Sequence, residues 1–266
     1  MTQRYCFLGN SHIAALKFGW DQIAATHPDV DITMFAAGGR NFENVVVKDK
    51  VIEATTEELR ALLLNRSNGL DKIVLTDYDK YVIVGLGFDV VLMSRLYGNY
   101  HTILHSQPRP EEIQFVSIDV MAQMLLADLR ESLSFQLARL IRDEMDQTIY
   151  VCWVPLKRKA MLHLDKGNNS AIVDAFTAIV ENGDEKLVRA LMTRIAALLR
   201  PEGIVLIEQP EETVEGEIFT FEELSKAGTT PADTPNPRAL LDIGHMNRRF
   251  GSMMVKQIIS ATAGHA

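Results

Sequence analysis

The chain has 266 residues, 47% hydrophobic and 23% charged, a length and balance that can bury a full core. Its 27 basic against 35 acidic residues leave a formal charge of −8, which argues against nucleic acid or an anionic membrane as the main partner. Its two cysteines, Cys6 and Cys152, lie in apolar strand-like runs, so reduced buried thiols are expected rather than a disulfide framework.

The opening MTQRYCFLGN lacks an apolar stretch followed by a small-residue cleavage site. No segment approaches the roughly 18 apolar residues of a membrane span. A cytoplasmic protein is expected. Tyr5–Leu8 reads as a short buried strand, broken at Gly9-Asn10, and Ile13, Leu16, Trp20 and Ile23 then recur at helical spacing over Ile13–Ala25. Ile32–Ala36 is the second strand. Val45–Ile52 with Leu70–Thr76 reads as a small antiparallel insertion with its hairpin tip at Lys48-Asp49-Lys50. Thr55–Asn65 is helical, and Thr55 with Glu58 has capping-box spacing. Tyr81–Leu86 is the third strand.

His101 and His105 stand four apart without a third ligand at a familiar spacing, so they read as surface or pocket-rim histidines, not a metal site. Ile118–Met145 is helical, its methionines 121, 124 and 145 lying with leucines on a core-facing stripe. Lys157-Arg158-Lys159 reads as a solvated surface patch. Strands at Ile149–Val154 and Ile204–Ile207 flank a helical Asn168–Leu199, a Pro-containing loop covers 209–240, and Asn247–Ala261 closes the chain as a helix. Strand and helix in alternation predict a single α/β domain over residues 1–266, a three-layer α/β/α sandwich on a mainly parallel sheet of about five strands.

Two short segments carry chemistry. Ser11 sits on a strand-to-helix turn, a place that suits either a nucleophile or an ordinary helix N-cap. Asp242 and His245 stand three apart just before the terminal helix, and a histidine braced by a carboxylate is the base that a serine nucleophile needs. The pair alone is a weak signal, equally consistent with a capping aspartate and a surface histidine. The Gly85-x-Gly87 pair lacks the third glycine of a dinucleotide fingerprint, and no phosphate-loop motif is present.

In their order and placement these segments resemble the SGNH (GDSL-like) hydrolase superfamily along most of the chain. Gly9-Asn10-Ser11-His12 stands where the family has its Gly-Asp-Ser block, Ala36 to Asn41 where it has its oxyanion glycine, and Asp242-x-x-His245 where it has its last block. The resemblance implies a flavodoxin-like sheet and a serine esterase or acyl hydrolase with Ser11 as nucleophile, His245 as base and Asp242 as its orienter. The backbone N–H groups of Ser11 and Gly39 would hold the oxyanion, with Gly38 the competing choice. Asn10, His12, Arg40, Asn41, Gly87 and Asp89 are expected around the substrate, a small-molecule or carbohydrate ester. Arg40 and Asn41 are as well suited to bracing the turn. No metal or organic cofactor is implied.

The third block departs from the pattern. Where the family has an asparagine that donates to the oxyanion, this chain has Gly87 or Asp89, depending on register. A glycine offers no side-chain donor and an ionised aspartate repels the developing charge. Asn10, Asn41 and His12 are the candidate replacements. Interception of the same acyl-enzyme by a sugar hydroxyl would make an O-acyltransferase, and loss of the donor is also what a non-catalytic binding protein on this fold would show.

Overall fold

A computed structural model of the chain describes residues 2–38, 41–108, 112–163, 170–226 and 242–263. The strands are β1 (Gln3–Gly9), β2 (Val30–Ala36), β3 (Val45–Lys48), β4 (Val51–Ala54), β5 (Lys72–Val74), β6 (Lys80–Val84), β7 (Tyr100–His101), β8 (Gln114–Phe115), β9 (Ile149–Cys152), β10 (Ile204–Ile207), β11 (Val214–Glu215) and β12 (Phe219–Thr220). The α-helices are α1 (Ile13–Ile23), α2 (Glu57–Arg66), α3 (Ser94–Tyr97), α4 (Ile118–Arg130), α5 (Leu133–Glu144), α6 (Ser170–Asn182), α7 (Glu185–Leu199) and α8 (Arg248–Thr262).

Five strands form the central sheet in the order β10-β9-β6-β1-β2, every pair parallel. Its strands are apolar on both faces, as a sheet covered by helices on both sides requires. Tyr5, Phe7, Val82, Val84 and Tyr150 pack with α1 and α8 on one face. Cys6, Leu8, Tyr81, Ile83, Ile149 and Val151 pack with α4, α5 and α7 on the other. Both cysteines are free and buried, and burial pushes both thiols up, which leaves them inert. No described helix is long and apolar enough to cross a membrane.

Each of the five runs read as strands from the sequence falls on a strand of the central sheet. The helices differ in detail. The pattern read as one helix over 118–145 is two, because the Ser132 hydroxyl accepts the Phe135 N–H at 3.3 Å and starts α5 afresh. The pattern over 168–199 also divides, at Gly183, whose left-handed φ of 71° ends α6. Asp184 follows, accepting from the Tyr97 hydroxyl and the Ser106 N–H at 2.6 Å each. The start of that pattern at Asn168 lies outside the described residues, as do residues 227–240 of the long loop. The loop's described part carries the β11–β12 hairpin. The cap of α2 is Thr56, not Thr55, which instead donates to the Asn44 carbonyl.

The insertion is the antiparallel sheet β3-β4-β5, turning at Asp49 and Lys50, which both have positive φ as a two-residue hairpin loop requires. His105 is not a surface histidine: it is buried, stacked on Tyr97, and its Nδ1 accepts the Thr102 N–H. The Lys157–Lys159 segment is not a solvated patch either. Arg158 is 5% exposed and ion-paired to Glu222, and Lys157 is enclosed beside Asp89.

What the topology does for function is set by β1. Its neighbours are β2 on one side and β6 on the other, so the chain leaves β1 and β6 in opposite directions. A crevice opens above their carboxyl ends, the position where open α/β sheets build sites.

Candidate active site

Three loops meet at that crevice, after β1, after β2 and after β6, and the segment before α8 closes over them. Ser11 lies on the turn between β1 and α1. Its carbonyl accepts the Ala14 N–H and that of Asn10 the Ile13 N–H, so the chain enters the helix through a tight bend. The cap position of α1 falls on His12, whose side chain makes no capping bond. Ser11 is therefore not the N-cap, and its hydroxyl is available for another partner.

That partner is His245. Ser11 Oγ and His245 Nε2 are 2.8 Å apart, and His245 Nδ1 is 2.9 Å from Asp242 Oδ1. The same carboxylate oxygen accepts the backbone N–H groups of His245 at 3.0 Å and Gly244 at 3.4 Å. Burial, the largest single influence on Asp242, pushes its carboxyl up. The His245 ring and these two N–H groups together outweigh it and hold the carboxyl below its ordinary value. An ionised Asp242 fixes the proton of His245 on Nδ1 and leaves Nε2 as the acceptor facing the serine.

The 242–247 segment is held from both sides. Arg158 N–H donates to the Ile243 carbonyl, Lys226 N–H to that of His245, and Asn247 N–H to that of Leu224. The Asn247 side chain caps α8 through the N–H groups of Arg249 and Phe250, and donates back to the Glu223 carbonyl. The ring of His12 is stacked on that of His245, with centroids 5.0 Å apart and planes 16° from parallel. The His12 Nδ1 is buried with no hydrogen-bond partner among the described residues. Burial, followed by the charges of Lys157 and His245, lowers its pKa to about 3, so it lies beside the base as a neutral ring.

The loop after β6 explains the Gly85-x-Gly87 pattern. Gly85, Leu86 and Gly87 all have positive φ, at 78°, 56° and 86°. A Cβ on Gly85 would stand 2.4 Å from Asn10 Oδ1, so the bare backbone lets this loop close on the serine turn. Neither residue of the third block supplies the absent donor. Gly87 has no side chain. Asp89 is turned away, accepting the Val91 N–H at 3.1 Å and the Lys157 ammonium at 2.8 Å. It caps a 3₁₀ turn and neutralises a lysine. Asn41 is likewise a brace, its amide donating to the Gly38 carbonyl. Gly39 and Arg40 lie outside the described residues.

Two backbone donors and one side-chain amide belong to residues that line a cavity at the crevice. The backbone N–H groups of Ser11 and Gly38 bond to no described acceptor, and both residues line a cavity of about 270 Å³. Asn10 lines this cavity and also a second one of about 340 Å³. Its Oδ1 accepts the His12 N–H at 3.2 Å, which leaves its amide nitrogen free of described partners. Lys157 was missed from sequence because a Lys-Arg-Lys triplet carries no sign of enclosure. Among the described residues no group of three or more potential metal ligands occurs. No protein-family model and no curated protein matches the chain.

Proposed function

We propose that the protein is a serine-dependent esterase or acyl hydrolase that works through an acyl-enzyme on Ser11. The observation that carries this is the continuous hydrogen-bonded line from Ser11 Oγ through His245 to Asp242, contributed by segments 234 residues apart in the chain. A binding protein needs no such line.

Ser11 Oγ adds to the ester carbonyl carbon as its proton passes to His245 Nε2. The carbonyl oxygen becomes an oxyanion within reach of the Ser11 and Gly38 N–H groups and the Asn10 amide. The resulting imidazolium is stabilised by Asp242 and gives its proton to the departing alkoxide, leaving the acyl group on Ser11. A water then loses a proton to His245 and adds to the acyl carbon. Ser11 is re-protonated as the carboxylic acid leaves.

The test is labelling with a fluorophosphonate probe, the modified residue being located by peptide mass spectrometry. Label on Ser11 in the wild type, and its loss in His245→Ala and Ser11→Ala, is the expected result. Absence of label from a folded wild-type protein would sink the proposal.

A further inference from the structure

The 270 Å³ cavity beside Ser11 has a basic wall. Its lining includes the small residues Ala14, Ala36 and Ala37, the amides of Asn10 and Asn65, and the cations Lys17 and Arg66, with no carboxylate among the described residues. Lys17, on α1, donates to Asn68 Oδ1 at 3.4 Å and to no other acceptor among the described residues. Arg66, in the last turn of α2, has no hydrogen-bond or ion-pair partner among the described residues. Its guanidinium is folded over the backbone of Gly38, with Nη1 2.9 Å from where a Cβ on that glycine would stand. A cation at a helix C-terminus is favoured by the dipole, but the dipole does not direct it across an oxyanion-donor glycine. Many other described arginines are paired, as in Arg95–Asp128, Arg130–Glu202 and Arg189–Glu208. Two cations without a described acidic partner thus line one small cavity in a chain of net charge −8, an arrangement that favours an anion.

The neighbouring cavity beyond Asn10 has the opposite character, with Glu43, Asp128 and Glu131 against Arg95. Asn10 therefore stands at a boundary between a basic and an acidic side of the crevice. The leaving alcohol must depart on the side of His245, which gives it a proton. No described residue of the 242–247 segment lines either cavity, but Ser11 lines the basic one and not the acidic one, so the acyl group carried by Ser11 is assigned to the basic side.

We infer that the preferred substrate is an ester whose acyl half ends in an anion, a carboxylate or similar oxyanion clamped by Lys17 and Arg66. This rests on the proposed acyl-enzyme reading and deepens it. A guanidinium offers paired donors to an oxyanion and an ammonium a point charge, and both strengthen as the acyl group displaces water.

The experiment compares two 4-nitrophenyl esters, the hemiglutarate and its methyl-capped counterpart. Wild type is expected to favour the charged ester by about tenfold or more in kcat/KM, mostly through KM. Lys17→Met and Arg66→Met should each cut that ratio several-fold, and the double variant should bring it to about one. Arg66→Lys should restore part of it, and Arg139→Met, a distant exposed arginine, should leave it intact. A wild type that favours the neutral ester, or a ratio unchanged in the double variant, overturns the inference.

A second arm needs no turnover. Ser11→Ala is titrated by NMR with monomethyl glutarate and with dimethyl glutarate. Saturable shifts for the monoanion alone, lost on adding Lys17→Met and Arg66→Met, support the clamp even where Ser11 fails to label and the hydrolase reading falls. Equal response to both compounds, or none to either, overturns the clamp even where Ser11 does label.

Discussion

At the scale of single residues, the question is what stands in for the absent asparagine. Gly87 offers only backbone and Asp89 is committed to Lys157 and Val91. Asn10 is the remaining amide at the meeting point of the β1 and β6 loops, its oxygen fixed by the His12 N–H, and the residue lines both cavities. An oxyanion donor is worth roughly 3 kcal/mol, or about a hundredfold or more in rate. Asn10→Asp keeps size and can still accept from His12, but loses the donor and brings in negative charge. The expected outcome is a fall in kcat of about a hundredfold with little change in KM and an unaltered melting temperature. Wild-type kcat in that variant would remove Asn10 from the oxyanion site. The variant restores the residue usual in the resembling family, so activity would fall as the sequence approaches the family pattern. That Ser11, Asp242 and His245 come together was legible because the blocks of the resembling family keep a fixed order relative to the first strand and the last helix. The choice among Asn10, Asn41 and His12 was not legible, since it depends on side-chain direction. Lys157 and Arg66 were not legible either, because only the folded chain shows which cations are paired with acids, as Lys157 is with Asp89, and which are not.

At the scale of elements, the triad's geometry depends on how α1 and α8 approach one another, because Ser11 precedes the first and His245 the second. They meet backbone to backbone. A Cβ on Gly251 would fall 1.8 Å from the Ala15 carbonyl oxygen, and one on Gly19 2.1 Å from the Ser252 nitrogen. Neither obstacle is the end of a flexible side chain, so the helices themselves must separate. Gly251→Ala is expected to destabilise the protein by about 1–3 kcal/mol in chemical denaturation, the usual cost of overpacking. It should also lower kcat by drawing His245 from Ser11. Gly98→Ala, at a site with nothing within 4 Å of the added carbon, serves as the control and should leave both unchanged. Equal stability of Gly251→Ala and wild type would mean that this contact does not set the spacing. In sequence, a glycine within a helical pattern registers only as a propensity cost. That Gly19 and Gly251 face each other needs the crossing of two helices far apart in the chain. The helix breaks at Ser132 and Gly183 escaped for a related reason: apolar periodicity continues across them, and only the new caps reveal the stop.

At the scale of the whole molecule, five central strands could be placed from sequence because a sheet buried on both faces writes itself as short apolar runs separated by helical periodicity. Local runs carry no strand order, and it is the order that sets Ser11 and Gly85 side by side. That juxtaposition has a global cost through His12, which is held next to the base, Lys157 and Asp242 with Nδ1 buried and unpartnered. Its folded pKa of about 3 lies below the ordinary histidine value of about 6.5. Between those values the unfolded chain holds a proton that the folded chain lacks, so stability rises with pH. Stability should accordingly fall as pH drops from about 6.5, at a slope of at most about 1.4 kcal/mol per unit from this one group. The depressed carboxyls of Asp184 and Asp242 act in the same sense, but their contributions are lost only below the ordinary carboxylate range. The two windows are thus separable. Denaturation curves at intervals from pH 7 to 4.5 should show a shallower decline for His12→Leu than for wild type. Parallel curves would mean that His12 takes up a proton in the folded state, and the picture of a neutral ring beside the base would fall with it.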